Sequence, residues 1–328
     1  MTTATCATGS CWLVALCVMA AVFGSARAGE TFQKKTYTYK TADEVAIQAD
    51  VYRPSDDKVR PAVVWIHGGA LIVGSRNDVP LNLFQLCKRE GFVLVSLDYR
   101  LAPEVKLPAI AADIRDAFRW LRKEGPRLFK VDPDRVVVTG GSAGGYLTLL
   151  VGSSVTPRPK ALVAYWGYGD VDGPWYTTPS AYYRKQGLLN KDEVSRAVGG
   201  KVLTGTTIET GPARGRFYRY LRQNGAWTKE VTGFDPAKDK KKLDPFCPVR
   251  NVTSDYPPTL MIHGTEDDDV PYEESAAMDR ELTRHKVPHE LITVRGAGHG
   301  LSDGDKQAVA DAHEKALAFI RKHLKDEK

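Results

Sequence analysis

Short runs of β-branched and aliphatic residues alternate along most of the chain with amphipathic stretches of helical spacing. Several of the short runs are unbroken Val/Ile/Leu segments, which is typical of parallel strands covered on both faces. Strands are predicted at 36–39, 45–52, 62–66, 93–97, 136–139, 161–165, 259–262 and 291–294. Helices are predicted at 81–90, 109–123, 143–153, 273–285 and 306–325. This order predicts a doubly wound, mostly parallel, eight-stranded α/β sheet.

Two parts of the chain depart from this alternation. No helix separates the first two predicted strands, so we expect an antiparallel hairpin at one edge of the sheet. The stretch 168–250 is too long for a simple connection and too aromatic for a linker. We interpret it as a cap inserted after the sixth strand of one domain, which covers 29–328.

The first 28 residues differ in character from the rest of the chain. An apolar run at 11–23 is too short to span a bilayer, and small residues follow it at 24–28. We interpret 1–28 as a secretory signal peptide cleaved after Ala28, and we expect a secreted or periplasmic protein without a stable membrane anchor. Export would permit a disulfide between Cys87 and Cys247, but the favoured interpretation is two separate buried thiols.

Composition and charge exclude several classes of function. The 328 residues are 42% hydrophobic and 26% charged, which fits a globular protein with one large core. The net charge of +6 comes from basic residues scattered among acids, so no nucleic-acid partner is expected. The histidines and cysteines lack metal-ligand spacing, and neither a P-loop nor a G-x-G-x-x-G turn after a strand is present. We therefore expect no metal and no cofactor, and the oligomeric state stays open.

The strongest chemical signal is Gly140-Gly141-Ser142-Ala143-Gly144, a G-x-S-x-G motif between a predicted strand and a predicted helix. A serine in that setting sits on a tight turn with strained backbone angles. Its hydroxyl then points out at the carboxyl end of the sheet. Because a serine hydroxyl is a poor nucleophile near neutral pH, it needs a base and a carboxylate nearby.

Two loops further along the chain supply those partners. The loop after the seventh predicted strand carries Asp267, Asp268 and Asp269, and the loop after the eighth carries His299. Because the carboxyl ends of parallel strands meet at one edge of the sheet, these side chains are expected near Ser142. A further candidate acid is Asp170, after the sixth predicted strand.

The loop after the third predicted strand reads His67-Gly68-Gly69-Ala70. It resembles the H-G-G-G loop of esterases, with alanine in the last place. The amides of Gly69, Ala70 and Ala143 are therefore the expected oxyanion-hole donors. We expect His67 to hold this loop by hydrogen bonding and not to transfer protons.

Taken together, the motifs resemble those of secreted α/β-hydrolase fold serine esterases, over about 51–325 apart from the insertion. The D-Y-R-L-A-P-E segment at 98–104, with Pro108 and Asp113, resembles that of hormone-sensitive-lipase-like carboxylesterases and implies a structural tie between the oxyanion loop and the sheet. The H-G-x-x-D-x-x-V-P segment at 263–271 is shared with feruloyl and acetylxylan esterases and with prolyl-oligopeptidase relatives. The resemblance implies an acyl-enzyme mechanism with Asp267 as the acid that orients His299.

The substrate is the part of this interpretation that the motifs leave open. We expect most aromatic residues of the insertion to form the core of the cap, and Trp166, Tyr168, Trp175 and Tyr176 to line an acyl or alcohol pocket. The expected substrate is a short-acyl or aromatic carboxylic ester, either a small molecule or linked to plant polysaccharide. Two alternatives remain: a serine peptidase or acylaminoacyl hydrolase related to prolyl oligopeptidase, and an inactive α/β-hydrolase that serves as a binding module.

Overall fold

One eight-stranded sheet runs through the protein in the computed structural model, which describes residues 31–325. Its strands are β1 (Phe32–Ala42), β2 (Val45–Pro54), β3 (Arg60–Ile66), β4 (Val93–Leu97), β5 (Val131–Gly141), β6 (Ala161–Tyr165), β7 (Thr259–Gly264) and β8 (His289–Val294). Their order across the sheet is β1-β2-β4-β3-β5-β6-β7-β8. β1 and β2 form the expected antiparallel hairpin at one edge, and β2 is also antiparallel to β4. All pairings from β4 to β8 are parallel, which confirms the predicted sheet.

Helices cover both faces of this sheet. They are α1 (Leu81–Glu90), α2 (Leu107–Phe129), α3 (Ala143–Ser154), α4 (Pro174–Thr177), α5 (Ala181–Lys185), α6 (Lys191–Ser195), α7 (Gly211–Asn224), α8 (Trp227–Thr232), α9 (Lys240–Leu243), α10 (Tyr272–Arg284) and α11 (Lys306–Leu324). Successive side chains of a strand point to opposite faces. In β3, Val64 and Ile66 belong to the core cluster with α2 and α3, whereas Val63 and Trp65 belong to the cluster with α1 and α11. The sheet is therefore buried on both sides.

The predicted boundaries differ from the structure where long-range pairing or packing extends an element. β1 is longer than the predicted 36–39 because its ladder with β2 continues from Phe32 to Ala42. Most of its side chains are at least partly exposed, so hydrophobicity alone does not mark its ends. α2 continues past the predicted end at 123, through Pro126, because Phe129 is buried against the ring of Tyr37.

The insertion between β6 and β7 forms a cap that contains α4 to α9, in agreement with the expected cap. Buried polar contacts join it to the loops that follow β3 and β4. Arg214 of α7, with 1% of its side chain exposed, makes a 2.8 Å ion pair with Glu104. Its guanidinium also donates to the carbonyl oxygen of Ile72 at 2.8 Å. Because Ile72 follows the Gly69–Ala70 turn, the cap holds the loop that borders the candidate site.

Cys87 and Cys247 are free and buried, as the favoured interpretation expected. They belong to core clusters on opposite faces of the sheet, so no disulfide joins them. Among the helices of residues 31–325, none has the length and apolar character needed to cross a membrane. The proposed signal peptide lies outside the described residues.

Candidate active site

Ser142 occupies a strained turn between β5 and α3. Its backbone angles are φ 55° and ψ −122°, a conformation that residues other than glycine rarely adopt. The surrounding glycines make the turn possible, because a Cβ atom at Gly144 would lie 2.0 Å from the carbonyl oxygen of Ile66. The amide of Ser142 donates to the carbonyl oxygen of Tyr165 at 2.9 Å, which fixes the turn to β6. The predicted strand-turn-helix setting is present.

His299 and Asp267 meet Ser142 at the carboxyl edge of the sheet. Nε2 of His299 lies 3.1 Å from the Ser142 hydroxyl oxygen. Nδ1 of His299 lies 2.8 Å from Oδ2 of Asp267. These distances form a continuous hydrogen-bonded chain from the hydroxyl to the carboxylate. Such a chain can remove the hydroxyl proton and stabilise the imidazolium that results.

Asp267 is held in its ionised form by the groups around it. Its Oδ1 accepts hydrogen bonds from the amides of Asp269 at 2.9 Å and Val270 at 2.8 Å. Burial alone would raise the pKa of Asp267, but hydrogen bonds with His263 and His299 keep that pKa well below its usual range. The acid is thus a carboxylate whenever His299 needs a negative partner.

His263 supports this loop, a role that the sequence analysis missed. Its Nδ1 lies 2.7 Å from the Ser275 hydroxyl, and its Nε2 donates to the carbonyl oxygen of Val270 at 2.9 Å. Nε2 also lies 3.3 Å from Oδ2 of Asp267. The H-G-x-x-D spacing was the available signal, because it places this histidine at the end of β7, directly beneath the turn.

The charge on His299 is balanced between opposing effects. Burial disfavours the imidazolium, but the hydrogen bond with Asp267 and the charges of Asp269 and Asp267 outweigh burial and the opposing charge of Arg222. The pKa of His299 is therefore raised above its ordinary value of 6.5. The same contacts stabilise the imidazolium that forms when His299 takes a proton from Ser142.

The loop at 67–70 lies against the Ser142 turn, where an oxyanion would form. A Cβ atom at Gly68 would lie 2.7 Å from the carbonyl oxygen of Gly141 and 3.4 Å from Cβ of Ser142. Gly69 and Ala70 both have positive φ, at 96° and 56°. In the described part of the chain, neither of their amides donates to a backbone carbonyl. These amides, with that of Ala143 at the first position of α3, are available to a ligand.

His67 keeps this loop in place. Its Nδ1 is 2.8 Å from the carbonyl oxygen of Gly68, and its ring stacks on Tyr99 with 4.2 Å between the ring centres. The Tyr99 hydroxyl donates to the carbonyl oxygen of His67 at 3.0 Å. Burial lowers the pKa of His67 to about 4, so the ring is neutral at physiological pH. The D-Y-R-L-A-P-E segment thus ties the loop to the sheet through Tyr99.

The cap also forms hydrogen bonds with the loop that begins at His67, through residues that no local motif indicates. The indole nitrogen of Trp227 donates to the carbonyl oxygen of Ala70 at 3.2 Å. Thr206 and Gly74 exchange hydrogen bonds, with 2.9 Å from each amide to its acceptor. The loop that presents the amides is therefore held from the sheet on one side and from the cap on the other.

The other candidate acids lie in different surroundings. Asp268 is exposed. Asp269 lies with Oδ2 3.6 Å from Nε2 of His299, and it pairs with Arg222 of α7. Asp170 binds the amide of Gly173 at 2.9 Å instead of a histidine. The structure therefore brings Asp267, and not Asp170, to Nδ1 of His299.

The four aromatic residues predicted to line a pocket fall into two groups. Trp166 lies beside the site, with its ring centre 6.3 Å from that of His299. Tyr168 and Tyr176 are buried in the cap core, where the partly buried Trp175 also packs, and Tyr176 stacks between Trp175 and Trp227. Burial of these two rings follows from their position between the cap and α3. They form core packing, not an open pocket wall.

A polar cleft of about 300 Å³ opens beside His299. Its walls carry acidic and tyrosine side chains that the sequence analysis did not assign to a pocket, namely Tyr182, Tyr183, Glu266, Asp268, Asp269 and Asp303. A smaller apolar cavity of about 50 Å³ lies next to Trp166. That cavity is lined from the side of α1 and α11, by residues such as Leu83 and His313, and neither Ser142 nor His299 lines it.

Three features together define a hydrolase of the α/β fold: the doubly wound sheet, the strained turn at Ser142, and the His299–Asp267 pair at the carboxyl edge of the sheet. The chain belongs to the alpha/beta hydrolase fold family, whose model matches residues 63–302. Curated relatives include the non-reducing polyketide synthases prhL of Penicillium brasilianum, 28% identical over 350 residues, and atr1 of Stereocaulon alpinum, 26% identical over 308 residues. The matches cover 89% and 84% of this chain but only 14% and 12% of those proteins. The chain thus spans about one seventh or less of their length.

Solved structures share the fold at low sequence identity. A protein with unknown function from Staphylococcus aureus has a TM-score of 0.71 at 23% identity, over 89% of this chain and all of that one. Esterase 2 of Thermogutta terrifontis has a TM-score of 0.61 at 22% identity, over 90% and 97%. An acetyl ester-xyloside bifunctional hydrolase from Caldicellulosiruptor lactoaceticus has a TM-score of 0.60 at 22% identity, over 85% and 88%. At these identities the likeness shows the fold alone.

Proposed function

We propose that the protein is a serine carboxylesterase that works through an acyl-enzyme intermediate. The observation that carries the proposal is the hydrogen-bonded chain from Ser142 through His299 to Asp267, set beside free amides at Gly69 and Ala70. Each part of that arrangement matches one requirement of acyl transfer: a nucleophile, a base, an orienting carboxylate and donors for the oxyanion.

The reaction follows from the positions of these groups. Oγ of Ser142 attacks the ester carbonyl carbon while Nε2 of His299 takes the hydroxyl proton. The carbonyl oxygen becomes an oxyanion that the amides of Gly69, Ala70 and Ala143 stabilise. The C–O bond to the alcohol then breaks, and His299 returns the proton to the leaving oxygen. Water, deprotonated by His299, attacks the acyl carbon; the bond to Oγ of Ser142 breaks, and His299 returns the proton to Oγ as the acid leaves.

Substitution of the triad tests this proposal directly. In Ser142→Ala and His299→Ala, we expect p-nitrophenyl acetate turnover to fall by roughly 10⁴-fold or more, with similar losses because the residues act as a unit. Ser153→Ala, on the same helix α3, is the matched control and should retain full turnover. Circular dichroism would check that each variant is folded. Retained turnover in either triad variant contradicts the mechanism.

Within the esters, we propose short acyl or aromatic acyl groups, with acetyl or feruloyl groups on plant polysaccharide as the class to test. The ring of Trp166, with its centre 6.3 Å from that of His299, supports a short or aromatic acyl group. A lipase-like tunnel would add about 0.8 kcal/mol for each methylene that it buries, so kcat/KM would rise with chain length. We expect kcat/KM to peak at short chains in a series from acetyl to dodecanoyl p-nitrophenyl esters, tested beside methyl ferulate and acetylated xylan. A maximum at octanoyl or longer contradicts this.

A second candidate is hydrolysis of an acyl thioester, which the similarity to a segment of polyketide synthases favours. The same Ser142–His299 pair would attack a thioester carbonyl. Comparing S-acetyl and O-acetyl substrates of equal size separates the two candidates by their kcat/KM values. An aminoacyl-p-nitroanilide in the same assay tests the peptidase alternative, and activity on none of these substrates would favour a binding module.

We also propose that the protein is exported, on the strength of the apolar run at 11–23 and the small residues at 26 and 28. Expression in a secretion-competent bacterium should yield a mature chain that begins at Gly29. N-terminal sequencing that begins at Met1 contradicts export.

A further inference from the structure

An ion pair joins the cap to the loop beside His299. Nη1 of Arg222, in α7, lies 2.6 Å from Oδ1 of Asp269 and donates to the Asp269 carbonyl oxygen at 2.8 Å. The Tyr218 hydroxyl donates to the same Oδ1. The other carboxylate oxygen, Oδ2, lies 3.6 Å from Nε2 of His299. One oxygen of Asp269 thus faces the cap, and the other faces the nitrogen that exchanges a proton with Ser142.

Arg222 has little freedom to leave this position. Its side chain is 3% exposed, against 16% for Asp269. Its guanidinium carbon lies 5.1 to 5.8 Å from the ring centres of four aromatic side chains, Trp175, Tyr176, Tyr183 and Tyr218. These rings attract the cation and exclude water from it. A buried cation without a carboxylate is strongly unfavourable, so Asp269 must stay turned toward the cap.

We propose that Arg222 is a positioning residue for the reaction proposed above: it holds the Asp269 carboxylate beside Nε2 of His299 and offsets its charge. The inference rests on the proposed function. His299 then has a carboxylate at each ring nitrogen, Asp267 at Nδ1 and Asp269 at Nε2. Of these two carboxylates, only Asp269 is paired with a cation, Arg222 of the cap. The cap therefore controls how strongly His299 keeps a proton.

The balance matters because Asp269 and Ser142 face the same nitrogen. An unpaired Asp269 would accept a hydrogen bond from protonated Nε2 and stabilise the imidazolium, which cannot act as a base. With Arg222 in place, that stabilisation is partial. Three other sets of groups surround His299. Ser142 and Trp166 lie on the side of the serine turn, and Asp267 lies at the opposite ring nitrogen. The remaining neighbours line the polar cleft: Tyr182, Tyr183, Glu266, Asp268 and Asp303. None of these is a cation.

A double-mutant cycle tests the proposal in the full-length protein. The pKa of His299 is measured by NMR, and the acidic limb of the kcat/KM profile is measured with p-nitrophenyl acetate. Asp269→Asn should lower both by roughly 0.5 to 1 pH unit, and Arg222→Gln should raise both by a similar amount. Arg222→Gln should raise both by less in the Asp269→Asn background than in the wild type, because Arg222 acts mainly through the carboxylate and only in part through its own charge.

Two arginines of the same helix serve as controls. Arg216 is exposed and pairs with Glu193 at 3.1 Å, so Arg216→Gln makes the same charge change away from the site and should leave the pKa of His299 unchanged. Arg214 fastens the cap elsewhere, so Arg214→Gln should lower the melting temperature without moving the pKa. A shift in Arg214→Gln equal to that in Arg222→Gln would assign the effect to cap attachment and overturn the proposal.

Other outcomes are equally decisive. If Asp269→Asn leaves the pKa of His299 within about 0.2 units, or if Asp269→Asn and Arg222→Gln shift it in the same direction, the proposal is wrong. If Arg222→Gln does not fold, Arg222→Lys replaces it: we expect an unshifted acidic limb with kcat lowered roughly threefold, because the charge remains and the fork of donors is lost. The NMR titration needs no turnover. Failure of the wild type to hydrolyse any ester would therefore contradict the proposed function while leaving this test intact.

Discussion

Asp170 and Asp267 follow neighbouring parallel strands and belong to the same edge of the sheet, yet their carboxyl groups have opposite character. Around Asp267 stand two amides and the rings of His263 and His299, and together they keep its pKa low despite burial. Around Asp170 stand the amide of Gly173, the indole of Trp175 at 3.4 Å, and the acidic groups Glu274 and Asp172. Burial and the Asp172 charge raise the pKa of Asp170.

The difference shows that the end of a strand supplies a position and the neighbours supply the chemistry. Both aspartates are partly or fully buried, and burial pushes both pKa values upward. Only Asp267 has enough hydrogen-bond donors and a histidine to reverse that effect. Glu274, the neighbour of Asp170, is also a buried carboxyl group beside another acid. Burial and the charge of Asp170 raise the pKa of Glu274 to about 8. One edge of the sheet therefore holds a permanent carboxylate and, beside it, a pair that keeps a proton.

The largest effect should come from removing the charge on one side of this comparison. We expect Asp267→Asn to lower kcat by roughly 10³ to 10⁴-fold, because the amide cannot hold His299 in the required tautomer. Asp170→Asn is the matched change and should alter kcat by less than about threefold, since Asp170 does not touch His299. Steady-state kinetics on p-nitrophenyl acetate would decide. A greater loss in Asp170→Asn than in Asp267→Asn would show that Asp170, and not Asp267, is the acid that serves His299.

The next effect concerns the histidine that supports the acid. His263→Gln removes a buried ring that contacts Asp267, Val270 and Ser275, so we expect kcat to fall roughly tenfold and the unfolding free energy to fall by about 2 kcal/mol. His323→Gln, near the end of α11, is the control and should change neither quantity. Urea unfolding with parallel kinetics measures both. An unchanged kcat would mean that Asp267 needs no support from this side.

From the raised pKa of Glu274 beside Asp170, we expect the stability of the protein to depend on pH. The folded-state pKa of Glu274, about 8, lies above its ordinary 4.5. Its contribution to stability is therefore complete below about pH 4.5 and is lost as pH rises through about 8. In Glu274→Gln this loss should disappear, so the variant should gain at least about 1 kcal/mol over wild type between pH 5 and pH 8.5. Thermal unfolding across that range tests it. Glu273→Gln, exposed and adjacent, should keep the wild-type slope.

The smallest effect is expected at the exposed neighbour of the acid. Asp268→Asn removes a solvated charge that contacts neither His299 nor the Ser142 turn, so kcat should change by less than about twofold. The same kinetic assay suffices. A loss comparable to that of Asp267→Asn would show that the register of the acid loop differs by one residue.

Local sequence was enough to locate the candidate nucleophile, the loops around it and the strands and helices of the layers. Runs of Val, Ile and Leu report burial on both faces of a strand, and these patterns predicted β4 and β6 with the observed bounds. The G-x-S-x-G motif predicted the turn at Ser142 because the close approach of the neighbouring strand β3 leaves room only for glycine at Gly144. A side chain at Gly144 would collide with β3, so the glycine itself carries the structural information. In each case the requirement fixes the residue types of one short segment, and a sequence records those directly.

Contacts between distant parts of the chain determine which acid lies at His299, which aromatic side chains are buried in the core, and which residue of the cap pairs with Asp269. Asp170, Asp267, Asp268 and Asp269 are alike as residues, and only contacts across the fold separate them. Tyr168 and Tyr176 became core because α3 and the cap close over them. Arg222 reaches Asp269 across 47 residues of sequence, and Ser142 reaches His299 across 157. Electrostatic energies in a protein depend on distance and burial in space, so residue order alone could not determine which carboxyl groups stay charged.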